Sequence, residues 1–328
     1  MRRTIVALAC ALALTTSACA VPHERDDLTP RKSAASTDVV TAVVDRYREV
    51  RGSAVALLDP KPLSTVETGA VLAIDSGSFA VSQAAATTQE GDTSAVEVTD
   101  VEVPRFTKYP LWFSAVVRDE QLGVNRVQVF ERASSVDPWL LTASPETLAG
   151  TELPAVRRAD GAARTVRADD GRGMAMSPQA AADAYAAVLA DPAAEKTSGI
   201  ADDSFIKQMR STAATNAELK DVAFSQSWEA QDVQYALRTA DGGALAFVTL
   251  LRKDTYTVED GLTVTWPEGS PQSAFLSEGI SGSGTLSYLH QVLLYLPGGD
   301  GEPRALGQYG GVVGGEGGAG EGGATGVR

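Results

Sequence analysis

Cysteine is nearly absent from this chain. Its 328 residues include two, Cys10 and Cys19, both near the N-terminus. A chain processed at Cys19 therefore has no disulfide, thiol nucleophile or cysteine metal site within its fold. Histidine is equally scarce, with His23 and His290 alone. Zinc ligands of the usual kinds are almost lacking, so no metal is expected. A Ser-His-Asp triad could draw only on His290, because His23 stands in a polar stretch. Basic charge is short: 28 Lys and Arg face 42 Asp and Glu, net −14. Nucleic-acid binding needs a basic patch to neutralise phosphates, and this balance argues against it. After residue 14 no apolar run reaches the roughly 20 residues of a membrane-spanning helix.

What is present begins with Arg2 and Arg3, then the uncharged apolar run Thr4 to Leu14, then small residues up to Cys19. This is the layout of a secretory signal over residues 1–18. The ending Thr16-Ser17-Ala18-Cys19 resembles the lipobox of bacterial lipoproteins, although leucine is usual where Thr16 stands. The resemblance implies lipidation of Cys19, which becomes the first residue of the mature chain. Ala18-Cys19-Ala20 also fits a plain small-x-small site, with cleavage before Val21. Each buried CH₂ contributes about 0.8 kcal/mol, so two or more acyl chains hold a protein firmly to a membrane. Loss of Arg2 and Arg3 leaves 26 basic residues against 42 acidic, net −16. Such a body is repelled by anionic headgroups and is expected to stand off the membrane.

Residues 19–37, with Pro22, Pro30 and mixed charges, read as a flexible tether spanning roughly 20–25 Å. From Asp38 to about Leu58, Val40, Val43, Val44, Tyr47, Val50 and Ala54 recur at three and four, predicting an amphipathic helix stopped by Pro60 and Pro62. A weaker helix follows from Thr65 to Ala84, with Gly77 against it. The pattern then alternates, predicting strands at 95–103, 111–118, 124–132 and 139–142. Residues 154–173, rich in Arg, Ala, Asp and Gly, read as a linker. Ser177-Pro178 starts a third helix and Asp203 a fourth. Further strands are expected at 222–229, 234–238, 244–253, 262–266, 286–296 and 305–309. The fold class is thus α+β, in two tandem domains (38–153 and 174–312) of helices packed on an antiparallel sheet. The glycine-rich residues 313–328 read as a disordered tail.

A helix pair on a curved antiparallel sheet resembles the NTF2-like and cystatin-like folds. From the lipobox through the alanine-rich helices and Lys108-Tyr109-Pro110-Leu111-Trp112-Phe113, the whole length resembles uncharacterised lipoproteins of actinobacteria. These resemblances imply no activity, since such folds carry enzymes and binding modules alike.

Catalytic sets are weak. Ser204-Phe205-Ile206-Lys207 fits the S-x-x-K pattern, but the nearest K-T-G fragment, Lys196-Thr197-Ser198-Gly199, lies upstream and is imperfect. The neighbouring pairs Asp169-Asp170, Asp202-Asp203 and Glu259-Asp260 diverge along the chain rather than converge. Tyr288 and His290 share a strand face, and with Trp112 and Trp228 they are the candidates to line a pocket. Neither catalytic residue nor cofactor is assigned. The expectation is a non-enzymatic binding or assembly module on the outer face of the plasma membrane, held by its lipid anchor. Its partner would be an envelope protein or a wall component. The alternative is a small-molecule binder with a pocket between helices and sheet.

Overall fold

A computed structural model describes residues 31–87, 96–119, 123–147, 150–191 and 199–317. The leader, Cys19 and the tether up to residue 30 lie outside the described residues.

The first half holds β1 (Lys32–Ser33), α1 (Thr37–Leu57), a 3-10 turn at Pro62–Thr65, α2 (Gly69–Ala84), β2 (Val96–Glu102), β3 (Arg105–Phe106), β4 (Leu111–Asp119), β5 (Val124–Arg132), β6 (Leu140–Ala143) and β7 (Glu146–Thr147). Between the halves lie β8 (Arg158–Ala159) and β9 (Ala162–Ala163). The second half holds α3 (Pro178–Ala190), α4 (Ser204–Ala217), β10 (Val222–Ala230), β11 (Tyr235–Arg238), β12 (Ala244–Val258), α5 (Pro271–Phe275), β13 (Ser283–Leu296) and β14 (Arg304–Gly317).

Local signals place the helices. Asp38 stands in the first turn of α1 and favours the positive end of its dipole. Ser177 caps α3 through the Ala180 amide, with Pro178 in its first turn. Asp203 caps α4 by accepting from the Ile206 amide at 3.0 Å, and its carboxylate also takes the Tyr185 hydroxyl and the Ala305 amide. Ser204 is therefore the residue after a cap, and Asp203 is absorbed by capping. The segment 262–266 is not a strand: followed by Pro267, it makes one bridge, Val264 to Ile280.

The nine strands of four residues or more, together with the two-residue β7, join one antiparallel sheet, ordered β10-β12-β13-β14-β7-β5-β4-β2, with β11 on β12 and β6 on β5. The strands of the two halves thus share a single hydrogen-bonded sheet, and the join is narrow. β7 meets β14 at two residue pairs, Gly307 with Thr147 and Gln308 with Glu146. Residues 154–173, expected as a linker, hydrogen-bond to β11: the Arg157 amide donates to the Arg238 carbonyl and the Val166 amide to the Ala236 carbonyl.

Three of the buried clusters among the described residues follow from the alternation. Tyr185, Leu189, Phe205 and Ile206 of α3 and α4 bury one face of β12 and β13, including Leu250, Val292 and Leu294. Val40, Val44 and Tyr47 of α1 cover Phe113, Ala115, Val117 and Phe130 of β4 and β5. Between the halves, Trp112, Val127 and Val129 pack on Tyr235, Leu245, Phe247 and Leu293.

The expected disordered tail needs correction over residues 313–317, which continue β14 and pair with β13 as far as Gly317 opposite Gly284. Residues 318–328 lie outside the described residues. Close backbone approach needs glycine at particular positions of β14 and of the helix over it. A Cβ on Gly307 would lie 2.5 Å from the Glu146 carbonyl oxygen, at the join with β7. From the other side, a Cβ on Gly77 would lie 2.1 Å from the Val312 carbonyl oxygen. Gly77 lowers helix propensity, yet it lets α2 lie directly on β14.

Replacing Gly77 with Ala forces α2 off β14. The expected loss is about 1–3 kcal/mol, the range for overpacking, despite alanine's better helix propensity. A thermal melt checks it; an unchanged or raised Tm would show that the close approach is not limiting.

Candidate functional site

Of the four pocket candidates, three meet. β12 and β13 pair with Leu250 opposite His290 and Arg252 opposite Tyr288. The His290 ring lies 5.2 Å from that of Trp228, 5.5 Å from Phe205 and 6.3 Å from Tyr288. The Arg252 guanidinium stands 4.0 Å over the Tyr288 ring and pairs with Asp254. Gln226 then donates to Asp254 at 2.8 Å and accepts from the Trp228 indole at 2.6 Å. These rings occupy one another's space beneath α4 as core. Burial, with Arg252 adding to it, pulls the His290 pKa down to about 3, so the imidazole is neutral at physiological pH. Burial likewise pushes the Tyr288 hydroxyl up to about 12.

A second cluster lies where the halves join. Tyr309 of β14 donates to Asp75 of α2, and Arg51 of α1 approaches the same carboxylate at 3.4 Å. Arg126 of β5 bonds Glu146 at 2.8 Å and Asp119 at 3.1 Å. Tyr47, Arg51, Asp75, Arg126, Gln128 and Ser144 border a cavity of about 40 Å³, which suits water and excludes an organic ligand. Glu67 is 1 % exposed beside this cluster. Burial, and then the charge of Asp75, push its carboxyl up to about 9, so it carries a proton at neutral pH.

Trp112 lies elsewhere, in a cleft on the side where the two half-sheets face each other. Its ring stands 5.5 Å from Tyr235, edge to face, and 5.9 Å from Phe106. Three adjoining hollows share these residues. One of about 440 Å³ is lined by Phe106, Tyr109, Pro110, Trp112 and Tyr235. One of about 500 Å³ extends along Thr165–Asp169. One of about 260 Å³ runs between the halves past Thr142, Asp232, Phe247, Thr249 and Gln291. Gln234 borders all three. The Tyr235 hydroxyl donates to Glu131 at 2.6 Å, and burial together with that bond raises its pKa. Sequence reasoning missed Glu131, Gln234 and Tyr235. The available signal was Glu131 itself, a carboxylate within a strand, and in the ladder it stands directly opposite Trp112. Strand β1 pairs Lys32 with Phe106, so the chain enters the fold at the rim of this cleft.

With this geometry in hand, comparisons place the chain among relatives. A family described as a domain of unknown function (DUF8094) matches residues 32–317. A protein named uncharacterized lipoprotein from Streptomyces avermitilis is 28 % identical over 299 residues, covering 85 % of this chain and 86 % of that one. An uncharacterized lipoprotein from Streptomyces coelicolor is 27 % identical over 321 residues, covering 95 % and 94 %. No solved structure matches.

The Glu67 proton has a consequence for stability. Between the ordinary value of 4.5 and about 9, the folded chain holds a proton that the unfolded chain releases. The stability contributed at this residue therefore falls as pH rises through that window. Glu67→Gln, which mimics the protonated form, is expected to raise the Tm more at pH 8 than at pH 5.5. Parallel pH–Tm curves for the two proteins would contradict the assignment.

Proposed function

The chain belongs to the DUF8094 family, and from that premise we propose that it is a lipid-anchored protein of the cell envelope. Its cleft binds an envelope component without chemical transformation. The names of the two Streptomyces relatives support the anchoring, as does the Thr16-Ser17-Ala18-Cys19 ending of the leader. Among the described residues no helix is long and apolar enough to cross a membrane; the attachment proposed is through Cys19.

The cleft around Gln234 supports binding as the activity. It combines apolar walls (Phe106, Trp112, Phe247) with a few placed polar groups (Glu131, Gln234, Thr249, Gln291), the usual makeup of a recognition site. Its open margin, bordered by Tyr109, Glu131 and Gln234, suits a segment of an envelope protein or wall component lying along it. Of the interacting carboxylates Glu67 and Asp75, Asp75 borders space for water only, which gives substrate chemistry no room there. A second reading, capture of a small molecule, is favoured by the most enclosed hollow, about 260 Å³ between Thr142, Thr249 and Gln291.

Two experiments test this. Cys19→Ser is expected to release the protein to the medium or leave the leader uncleaved; a correctly cleaved variant that stays on the membrane would remove the anchor from the proposal. Tyr109 and Gln234 are exposed, so Tyr109→Ala with Gln234→Lys should move the Tm little, as surface changes usually stay within about 0.5 kcal/mol. The yield of crosslinked envelope component from native membranes is expected to drop about tenfold, the loss of roughly 1.4 kcal/mol of binding. An undiminished yield would place the binding surface outside the cleft.

A further inference from the structure

The ten-stranded sheet has two ends, β10 and β2, and they are built differently. A strand at the end of a sheet presents unpaired N–H and C=O groups, and proteins blunt such edges with charges, proline or bulges. β2 is blunted. Its ladder with β4 slips between Val98 and Asp100, and it carries Glu97, Asp100 and Glu102. Arg158 lies against that edge, bonding Asp100 and Glu102 at 3.0 and 2.8 Å.

β10 is barely blunted, with neither bulge nor proline. Its nine residues pair with β12 in unbroken register from Val222–Val258 to Ala230–Leu250. The sequence is Val-Ala-Phe-Ser-Gln-Ser-Trp-Glu-Ala, with one charge and no proline. Ala223, Ser225, Ser227 and Glu229 are exposed on the outward face. Val222, Phe224, Gln226 and Trp228 face the helices; Phe224 packs on Tyr256 at 5.2 Å and Trp228 on His290. Among the described residues, nothing bonds to the free backbone edge of β10.

We infer that β10 is a self-association edge, pairing antiparallel with β10 of a second copy of this chain to continue one sheet through both. The sequence favours a second copy through its symmetry about Gln226. An antiparallel ladder centred there overlaps all nine residues. It sets Phe224 opposite the second copy's Trp228, Val222 opposite Ala230, Ser225 opposite Ser227 and Ala223 opposite Glu229. Aromatic pairs of this kind stabilise a ladder, and no like charges stand opposite each other. Because directly opposed residues point to one face, the helical layers of both copies lie on the same side. Each copy carries net −14, so long-range repulsion opposes the approach and screening by salt relieves it. Tethering to one membrane raises the effective concentration of the two edges.

Sedimentation velocity of the full chain in detergent is the first test, at about 50 µM, well above a micromolar Kd of the sort small interfaces give. A dimer that strengthens from low to physiological salt is expected. Disulfide trapping reads the register. In a Cys10→Ser, Cys19→Ser background, Ser225→Cys mixed with Ser227→Cys should crosslink far more than either variant alone. Directly opposed Cβ atoms reach disulfide distance, whereas diagonal neighbours stand about 7–8 Å apart. Ser225→Lys with Ser227→Lys, both at exposed positions, should give a folded monomer with a nearly unchanged Tm. A monomeric parent chain would overturn the proposal, as would mixed crosslinking no better than the single variants. Crosslinks from these positions to a different envelope protein would assign the edge to that partner instead.

Discussion

The rest of the structure depends on how β14 is held. On one side it is paired along nearly its whole length with β13; on the other it meets only the two residues of β7. That narrow ladder alone would leave the halves hinged. α2 supplies the second hold by lying on β14 through Gly77, and Tyr309 of the strand reaches into the Asp75–Arg51 pair of the helices. A buried polar cluster is worth much when its groups are satisfied and is costly when they are not. It therefore fixes the relation of α1, α2 and β14 more sharply than apolar contact could. The cost appears at Glu67, which keeps a proton rather than place a second bare charge beside Asp75.

The cleft is a consequence of that closure. Once β14 and β7 join the halves, β13 comes alongside the strand ends of β6 and β7. Gln291 of β13 then bonds the Ser144 amide at 3.0 Å and the Thr142 carbonyl at 2.7 Å. These bonds seal one end of the space between the half-sheets, and the Trp112–Tyr235–Phe247 core fills its middle. What stays open is the margin, bordered by Gln234, Glu131 and Tyr109. The site belongs to neither half: Glu131 and Trp112 come from the first, Gln234 and Tyr235 from the second.

Local structure was legible in the sequence because its causes are local. The Ser177-Pro178 and Asp203 helix starts, the α1 stripe and the strand at 124–132 all follow from neighbours a few residues away. What depended on distant chain was not legible. Alternation reports that a strand has an inside and an outside, but not which strand lies beside it, so the shared sheet could not be read from two similar patterns. The glycines of β14 carried the composition of disorder, yet several answer contacts made by other elements: Gly307 abuts Glu146, Gly310 abuts His290 and Gly315 abuts Phe275. Trp112 and Trp228 looked alike as strand aromatics, but one borders the cleft and the other packs against His290. Gln234 had no local pattern and Glu131 offered only a carboxylate within a strand, because what distinguishes them is their meeting at Tyr235.

The charge of the cleft narrows what it suits. Among the described residues that line it, Arg167 and Asp169 pair with each other at 2.8 Å, leaving the acidic Glu131 and Asp232 against Lys108. The whole chain adds a negative field of net −14. An anionic polymer would meet repulsion on approach and little compensation on arrival. A neutral or cationic component gains instead: Glu131 already accepts one hydrogen bond from Tyr235 and has lone pairs left for a second donor. Apolar walls with acceptor groups at their margin therefore fit a ligand that brings hydrogen-bond donors on an uncharged or positive frame.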